Sequence, residues 1–406
     1  MPHSQQQQQP HTQNEPPASC ALSTESGLLT SYAPTAIREI TTHTKLHEPS
    51  NEEVQQQQQQ PQHTATTTAA KWNGLNSEQR ARVAVLNAFR YCPSAFLETY
   101  VIHRVIGFGS NGVVLAAEST VTGECVAIKV IYKKRQGRIN DPLPSEIVLL
   151  KELCNVSQFI LRYVDCWQDV NHYYMVTELF GNNWNDVYSA NNSELHPIIL
   201  RSMNDEMYVF SMAVGCSDLY SWSFAYRCKF FNMTGYSMLP MKPIKFIVRQ
   251  IAAALYHLHK RGYYHGDIKQ ENILVQLPDA PHSSDERADV DRPRIRLADF
   301  GHARLASLGC ARYGTRATSA PEFNRASLFH GGELELDGRC GDVFALGLIL
   351  YSLLGSTGEL PSSDCMEDDI PDLEEAAWEL LDGMCCPDPA KRIKIDQVLV
   401  NEWLSQ

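Results

Sequence analysis

Three glycines open the chemistry of this chain. Gly107, Gly109 and Gly112 form G-x-G-x-x-G, followed by Val114, inside a β-rich run. Glycines at this spacing let the backbone turn tightly and bring N–H groups close to phosphates. A dinucleotide-binding loop starts the same way, but it needs a helix directly behind the glycines. Here VVLAAEST continues as a strand, so that reading is set aside. Further on comes Val126-Ala127-Ile128-Lys129. A lysine in an apolar strand either snorkels to solvent or serves as a cation on nucleotide α/β-phosphates. In the second case it needs a carboxylate to hold it, and Glu146 in the helical run SEIVLLKEL is the candidate.

The run Tyr264-His265-Gly266-Asp267-Ile268-Lys269-Gln270-Glu271-Asn272 carries the strongest signal, with Asp299-Phe300-Gly301 downstream. Asn272 and Asp299 offer hard oxygen donors from separate segments, which suit Mg²⁺. Asp267 with Asn272 matches the H-R-D-x-x-x-x-N catalytic loop, and Gly314-Thr315 and Ala320-Pro321-Glu322 follow in order. With the glycine loop and VAIK, these motifs make the chain resemble the eukaryotic protein kinase family from about Tyr100 to Leu404. Each motif alone has a bland reading as a turn or a helix cap; together and in order they are highly specific.

The resemblance implies ATP and Mg²⁺ as cofactors and transfer of the ATP γ-phosphoryl group to serine/threonine hydroxyls on proteins. It implies that Asp267 orients the acceptor hydroxyl and takes its proton, and that Lys269, the serine/threonine-type choice, steadies the γ-phosphate. Asn272 and Asp299 would hold the metal, and Thr315 would bond Asp267 and Lys269. The hinge falls on Glu178-Leu179-Phe180, meeting adenine through backbone groups, with Thr177 behind it and Val114 and Ala127 against the ring. Glu322 would pair with a buried Arg392, and Asp342 resembles the aspartate that anchors the catalytic loop. LADFGHAR and DPAKRIKIDQVLVNEWL look like the calmodulin-dependent kinase group.

The chain also departs from the family. Gly266 replaces the arginine that receives an activation-loop phosphate, so control by that phosphate is expected to be weak. The stretch from Glu178 to Asp267 is about twice the expected length. Its excess, over about 189–240, is rich in aromatic, Met and Cys residues and has no clear period. It reads as an insert that packs on the helical lobe or binds a partner, or as a translated intron. A second, polar insert falls between Asn272 and Asp299 and reads as an exposed loop. The region after Asp342 is short, and Ser352 stands where basic-directed kinases carry an acid.

The elements that must position these residues follow from pattern. Residues 1–70 are rich in Gln, Pro, Thr, Ser and His, with glutamine runs at Gln5–Gln9 and Gln55–Gln60. Such a segment buries too little apolar surface to offset its ordering entropy, and disorder is expected. A short helical extension covers 71–99, with Val83, Val85, Leu86 and Phe89 near helical spacing. The kinase-like domain covers 100–404: β-rich runs from Val101, then IKFIVRQIAAALYHLHKRG with helical periodicity. Strands first and helices later predict an α+β class, with the two-lobed protein kinase fold as the resemblance implies: a small β-rich lobe and a larger helical one.

The net charge of −12 disfavours nucleic-acid binding, which needs a basic face. No stretch reaches membrane-spanning length, and the twelve cysteines form no disulfide or zinc framework. An intracellular setting, cytoplasmic or nuclear, is expected, with protein substrates as partners. Two rivals remain. A small-molecule phosphotransferase of the aminoglycoside or choline kinase type has an H-G-D loop like His265-Gly266-Asp267, but Lys269, Thr315 and Ala320-Pro321-Glu322 argue against it. A pseudokinase scaffold is disfavoured by the presence of Lys129, Asp267, Asn272 and Asp299 together.

Overall fold

The computed structural model describes residues 74–91, 95–133, 141–153, 155–182, 198–201, 207–212, 217–234, 239–277, 292–310, 313–326, 336–355 and 373–405. The tail expected over 1–70 and most of the polar insert before Asp299 lie outside the described residues.

Helix α1 (Ser77–Tyr91) precedes strands β1 (Tyr100–Phe108), β2 (Gly112–Ser119) and β3 (Cys125–Tyr132). Helix α2 (Ser145–Leu153) and strands β4 (Tyr163–Gln168) and β5 (His172–Glu178) follow. The strands read with period two, as a half-buried sheet requires. Val113, Leu115, Ala117, Val126, Ile128 and Val130 are buried on one face. Val114, Ala127 and Lys129, on the other, are only half-buried. Helix α1 covers the apolar face through Ala81, Ala84, Val85 and Ala88. Of the residues noted at helical spacing, Val85 is buried and Phe89 packs on the same core, whereas Leu86 is exposed. Alanines let the helix backbone approach the sheet, where larger residues would hold it off.

The stretch 189–240 supplies ordered elements of both lobes. Strands β6 (Ile198–Arg201) and β7 (Met207–Met212) form an antiparallel pair. Strand β7 joins β1 in parallel, with Arg104 opposite Ser211. The sheet therefore runs β4-β5-β3-β2-β1-β7-β6. Helix α3 (Leu219–Thr234) buries Leu219 and Trp222 in the core of the larger lobe. Arg227 donates to the carbonyls of Ser352 (2.7 Å) and Leu353 (3.0 Å), satisfying acceptors at the end of another helix. Part of the stretch read as an insert is thus a helix packed in the core of the larger lobe.

Helix α4 (Met241–Lys260) is amphipathic and buries Ile244, Ile247, Val248, Ile251, Leu255 and Leu258. It is followed by strands β8 (Tyr263–Tyr264), β9 (Ile273–Gln276), β10 (Arg294–Leu297) and β11 (Arg304–Leu305). Helix α5 (Pro321–Ala326) leads to α6 (Gly338–Leu354), which is apolar nearly all round and forms the lobe's centre. Helices α7 (Glu375–Cys385), α8 (Ile395–Leu399) and α9 (Glu402–Ser405) complete the lobe. Among the described residues no helix is long and apolar enough to cross a membrane.

The β4–β5 turn is locked by a buried polar knot. Asp169 accepts hydrogen bonds from the backbone N–H of Asn171 and His172 (2.7 Å) and from Tyr174 Oη. Burial alone raises its pKa, but bonds from His172, Tyr174 and Asn171 outweigh it and bring the carboxyl down to about 2. A depressed folded-state pKa contributes stability above the ordinary carboxylate range, lost as pH falls toward that value. Asp169→Asn should therefore cost about 2 kcal/mol near neutral pH. Urea melts of the two proteins should converge as pH drops below about 4.

Candidate active site

The glycine turn joins β1 to β2, closed by the Gly109 N–H donating to the Gly112 carbonyl at 2.9 Å. A Cβ at Gly112 would lie 2.4 Å from the Val130 carbonyl oxygen, so the protein's own backbone requires glycine there. A Cβ at Gly109 would meet nothing within 4 Å, and at Gly107 only Val114 at 4.0 Å. Two of the three glycines therefore keep space clear beside the sheet rather than relieve a clash.

Lys129 lies opposite Val114 on β2 and Met175 on β5, and points from the half-buried face toward α2. Its ammonium is 2.5 Å from Glu146 Oε1 and 3.2 Å from Asp299 Oδ1. Burial alone lowers its pKa, but the two carboxylates overcome that and raise it, so the lysine stays charged. Asp299 has φ of 60°, the left-handed region that a short polar side chain tolerates. Its pKa is depressed: burial pushes upward, and Lys129 pulls further downward. Phe300 beyond it is buried against the His265 ring, centroids 5.1 Å apart.

Asp267 is held by four donors. Its Oδ1 accepts from Thr315 N–H and from Thr315 Oγ1, both at 2.8 Å. Its Oδ2 is 2.8 Å from Lys269 Nζ and 3.1 Å from Asn272 Nδ2. Lys269 also donates to Thr315 Oγ1 at 3.0 Å. Burial raises the Asp267 pKa, while Lys269 and Thr315 lower it more, leaving the carboxyl below its ordinary value. Asn272 spends its amide N–H groups on Asp267, including the backbone oxygen at 2.8 Å, so its Oδ1 is the donor left for a cation. The Ala298 N–H donates to the Asn272 carbonyl at 2.9 Å, which brings Asp299 beside Asn272. Asp299, which bonds Lys129, and Asn272 thus stand on bonded segments, and their hard oxygen donors are a set that fits Mg²⁺.

Gly314 has no side chain because Asp267 occupies the space. A Cβ there would lie 2.3 Å from Asp267 Oδ1 and 2.6 Å from its Cγ. Gly314→Ala should displace the carboxylate and lower kcat by about a hundredfold with little change in nucleotide affinity. Comparing kcat with the nucleotide Kd for the variant checks this.

The catalytic loop hangs from Asp342, which is fully buried on α6. Its carboxylate accepts from the N–H of His265 (2.7 Å) and Gly266 (2.9 Å), from Tyr313 Oη (2.6 Å) and from His259 Nε2 (2.9 Å). Burial opposes ionisation, but these donors, His259 first, hold its pKa down. His265 Nδ1 accepts the Asp267 N–H at 3.3 Å, so its Nε2 carries the proton donated to the Ala298 carbonyl. His265 stood in the run singled out from sequence, but its contacts did not show there. His259 and Tyr313 lie outside that run and had no local signal, because their partner Asp342 lies far along the chain.

At the hinge, Thr177 is buried and its hydroxyl donates to the Glu178 carbonyl. The Glu178 side chain turns away to Arg296 (2.8 Å) and the Arg162 N–H (2.9 Å). The Phe180 ring lies under the Arg296 guanidinium, 4.4 Å from it. Among the described residues the Phe180 N–H has no partner. Any nucleotide contact from Glu178 and Phe180 must therefore come from the backbone.

A family model described as the protein kinase domain matches residues 100–227 and 204–404. The maternal embryonic leucine zipper kinase of Xenopus tropicalis is 26% identical over 328 residues, 76% of this chain and 40% of the relative. The hormonally up-regulated neu tumor-associated kinase homolog A of Xenopus laevis is 26% identical, over 76% of this chain and 38% of the relative. Calcium-dependent protein kinase 4 of Plasmodium berghei is 26% identical, over 76% of this chain and 50% of the relative. The chain spans half or less of the length of these curated relatives.

Proposed function

The chain belongs to the protein kinase family, and on that premise we propose that it transfers the γ-phosphoryl group of ATP to serine and threonine hydroxyls of proteins. One observation carries the reading. Thr315 and Lys269 converge on Asp267 at 2.8 Å, while Lys129 joins Glu146 to Asp299. The first group would seat an acceptor hydroxyl, and the second would seat the phosphates.

Lys129, held by Glu146, binds the α- and β-phosphates. Asn272 Oδ1 and Asp299 would hold Mg²⁺, which supplies charge neutralisation on the phosphate oxygens. Val114 and Ala127 pack the adenine ring, Thr177 closes the space behind it, and backbone groups of Glu178 and Phe180 bond its edge. The Gly107, Gly109 and Gly112 turn covers the phosphates. Asp267 stays ionised near neutral pH, orients the acceptor hydroxyl and takes its proton as the oxygen–phosphorus bond forms. The bond from the γ-phosphorus to the β-γ bridging oxygen breaks, and ADP carries the electron pair away. Lys269 offsets charge on the transferring group, and Thr315 keeps both side chains in place.

The test is transfer of labelled phosphate from Mg-ATP to arrayed serine, threonine and tyrosine peptides and to an aminoglycoside. Label on serine and threonine peptides is expected. Nucleotide binding without transfer to anything favours a scaffold, and label on the amino-sugar alone favours a small-molecule enzyme.

Gly266 shapes the regulation expected. Its φ of 80° and a Cβ position 2.8 Å from the His302 carbonyl leave no room for an arginine without strain. No cation therefore stands directly before Asp267 to receive a phosphate. Ser307→Ala and Thr318→Ala should each leave turnover within about twofold of the parent. Steady-state kinetics on the two variants check this, and a large drop in either would refute it.

A further inference from the structure

A groove on the larger lobe, about 1090 Å³ in volume, is lined by two rows of cations. Lys242, Lys245 and Arg249 recur at helical spacing along α4. Arg292, Arg294 and Arg296 recur at every second residue on and just before β10. Gln250 fixes the two rows side by side, donating to the Pro293 carbonyl (2.8 Å) and accepting from the Ile295 N–H (3.2 Å). No carboxylate is among the lining residues described. Lys245 and Arg296 have other engagements: Lys245 is near Glu374 (3.9 Å) and over Trp403, and Arg296 bonds Glu178. Arg249, Arg292 and Arg294 are exposed.

Six cations facing one groove are unexpected in a chain of net charge −12. The positions make this more than a solvated face, because two different elements aim their charge at one concavity. The groove is also lined by apolar residues, among them Phe159, Met241, Phe246 and Leu404. Phe246 is 39% exposed, large for a phenylalanine on a helix that otherwise buries its apolar face.

We propose that this groove docks an acidic peptide segment, carrying apolar side chains between its carboxylates, from a partner protein. The charge pattern selects carboxylates, and the apolar lining selects the side chains between them. A nucleic acid fits less well: it needs a broad basic face, and the overall charge of this chain repels it. The groove meets the nucleotide hinge through Arg296 alone, which bonds Glu178 and lies over Phe180, so the variants below leave Arg296 in place.

The probe is a fluorescein-labelled peptide of alternating glutamate and leucine, titrated into the full chain and followed by anisotropy. Saturable binding that weakens with salt is expected. The charge reversal Arg249→Glu/Arg292→Glu/Arg294→Glu should weaken it at least about tenfold. The milder Arg249→Gln/Arg294→Gln should weaken it less, and both should keep the parent's melting temperature, since these side chains are exposed. Phe246→Ser should weaken it too. A peptide with glutamine for glutamate that binds equally well would overturn the proposal. So would unchanged affinity in the reversed variant, or tighter capture of a single-stranded RNA of equal charge. The chain's own stretch 278–291, with Asp279, Asp285, Glu286, Asp289 and Asp291, is the rival occupant. If amides at those five positions are needed before the peptide binds, the groove serves that stretch and a partner does not dock there.

Discussion

Asp267→Asn should lower phosphoryl transfer by about a thousandfold and leave Mg-ATP binding nearly unchanged. The argument rests on what the amide keeps and what it loses. Its oxygen can still accept the Thr315 N–H and hydroxyl, which the carboxylate holds at 2.8 Å. Its nitrogen must then face the Lys269 ammonium and the Asn272 amide, two donors that now bond Oδ2 at 2.8 and 3.1 Å. A donor against two donors drives Lys269 away, and the amide cannot take a proton from an acceptor hydroxyl. Lys129, Glu146 and Asp299 lie outside this cluster, and their ion pairs at 2.5 and 3.2 Å are untouched. Single-turnover transfer alongside a nucleotide titration separates the two effects. Transfer within about tenfold of the parent would remove Asp267 from the proton-accepting role.

The residues that face the cleft were legible because their chemistry demands a particular side chain at a particular spacing. A cation on phosphates calls for Lys or Arg, here a lysine beyond a glycine loop, and a hard cation calls for oxygen donors such as Asp and Asn. The structure gathers Lys129, Glu146, Asp267, Lys269, Asn272, Asp299 and Thr315 around one cleft. The residues one step behind left little trace. Asp342 could be singled out, but nothing local says that His259 and Tyr313 complete its set of donors. Such partners are met only after a long loop closes, and no period in the chain records them.

The same limit applies to the elements. Helix α3 is apolar on several sides, so its sequence shows no face, and its core residues Leu219 and Trp222 passed for part of an insert. The β6–β7 pair was illegible because its partner, β1, lies about a hundred residues earlier, and strand register depends on that partner. For α1 the apolar spacing pointed to Val85, which is buried, but not to Ala81, Ala84 and Ala88, because a small side chain adds little to a hydrophobic pattern.

The second large effect concerns stability. Arg392 and Glu322 form a bidentate pair at 2.6 and 3.0 Å, with the arginine almost wholly buried. The guanidinium also donates to the carbonyls of Cys386 (2.9 Å) and Cys340 (3.0 Å) and stacks on Phe344. Removing either partner strands a charge in the core, so Arg392→Ala and Glu322→Ala should each cost about 3–5 kcal/mol. Arg392→Lys should recover little, because an ammonium cannot span two carboxylate oxygens and two carbonyls in one plane. Replacing both partners by apolar residues of similar volume, Arg392→Met with Glu322→Leu, should cost less than the two single changes together, since neither charge is left alone. Urea unfolding of the four variants measures this. Single losses below about 1 kcal/mol, or a strictly additive double, would mean the pair is solvated. The pair ties α5, at the end of the segment carrying Thr315, to the chain between α7 and α8. Its loss should therefore also loosen Thr315 from Asp267, lowering kcat in whatever fraction remains folded.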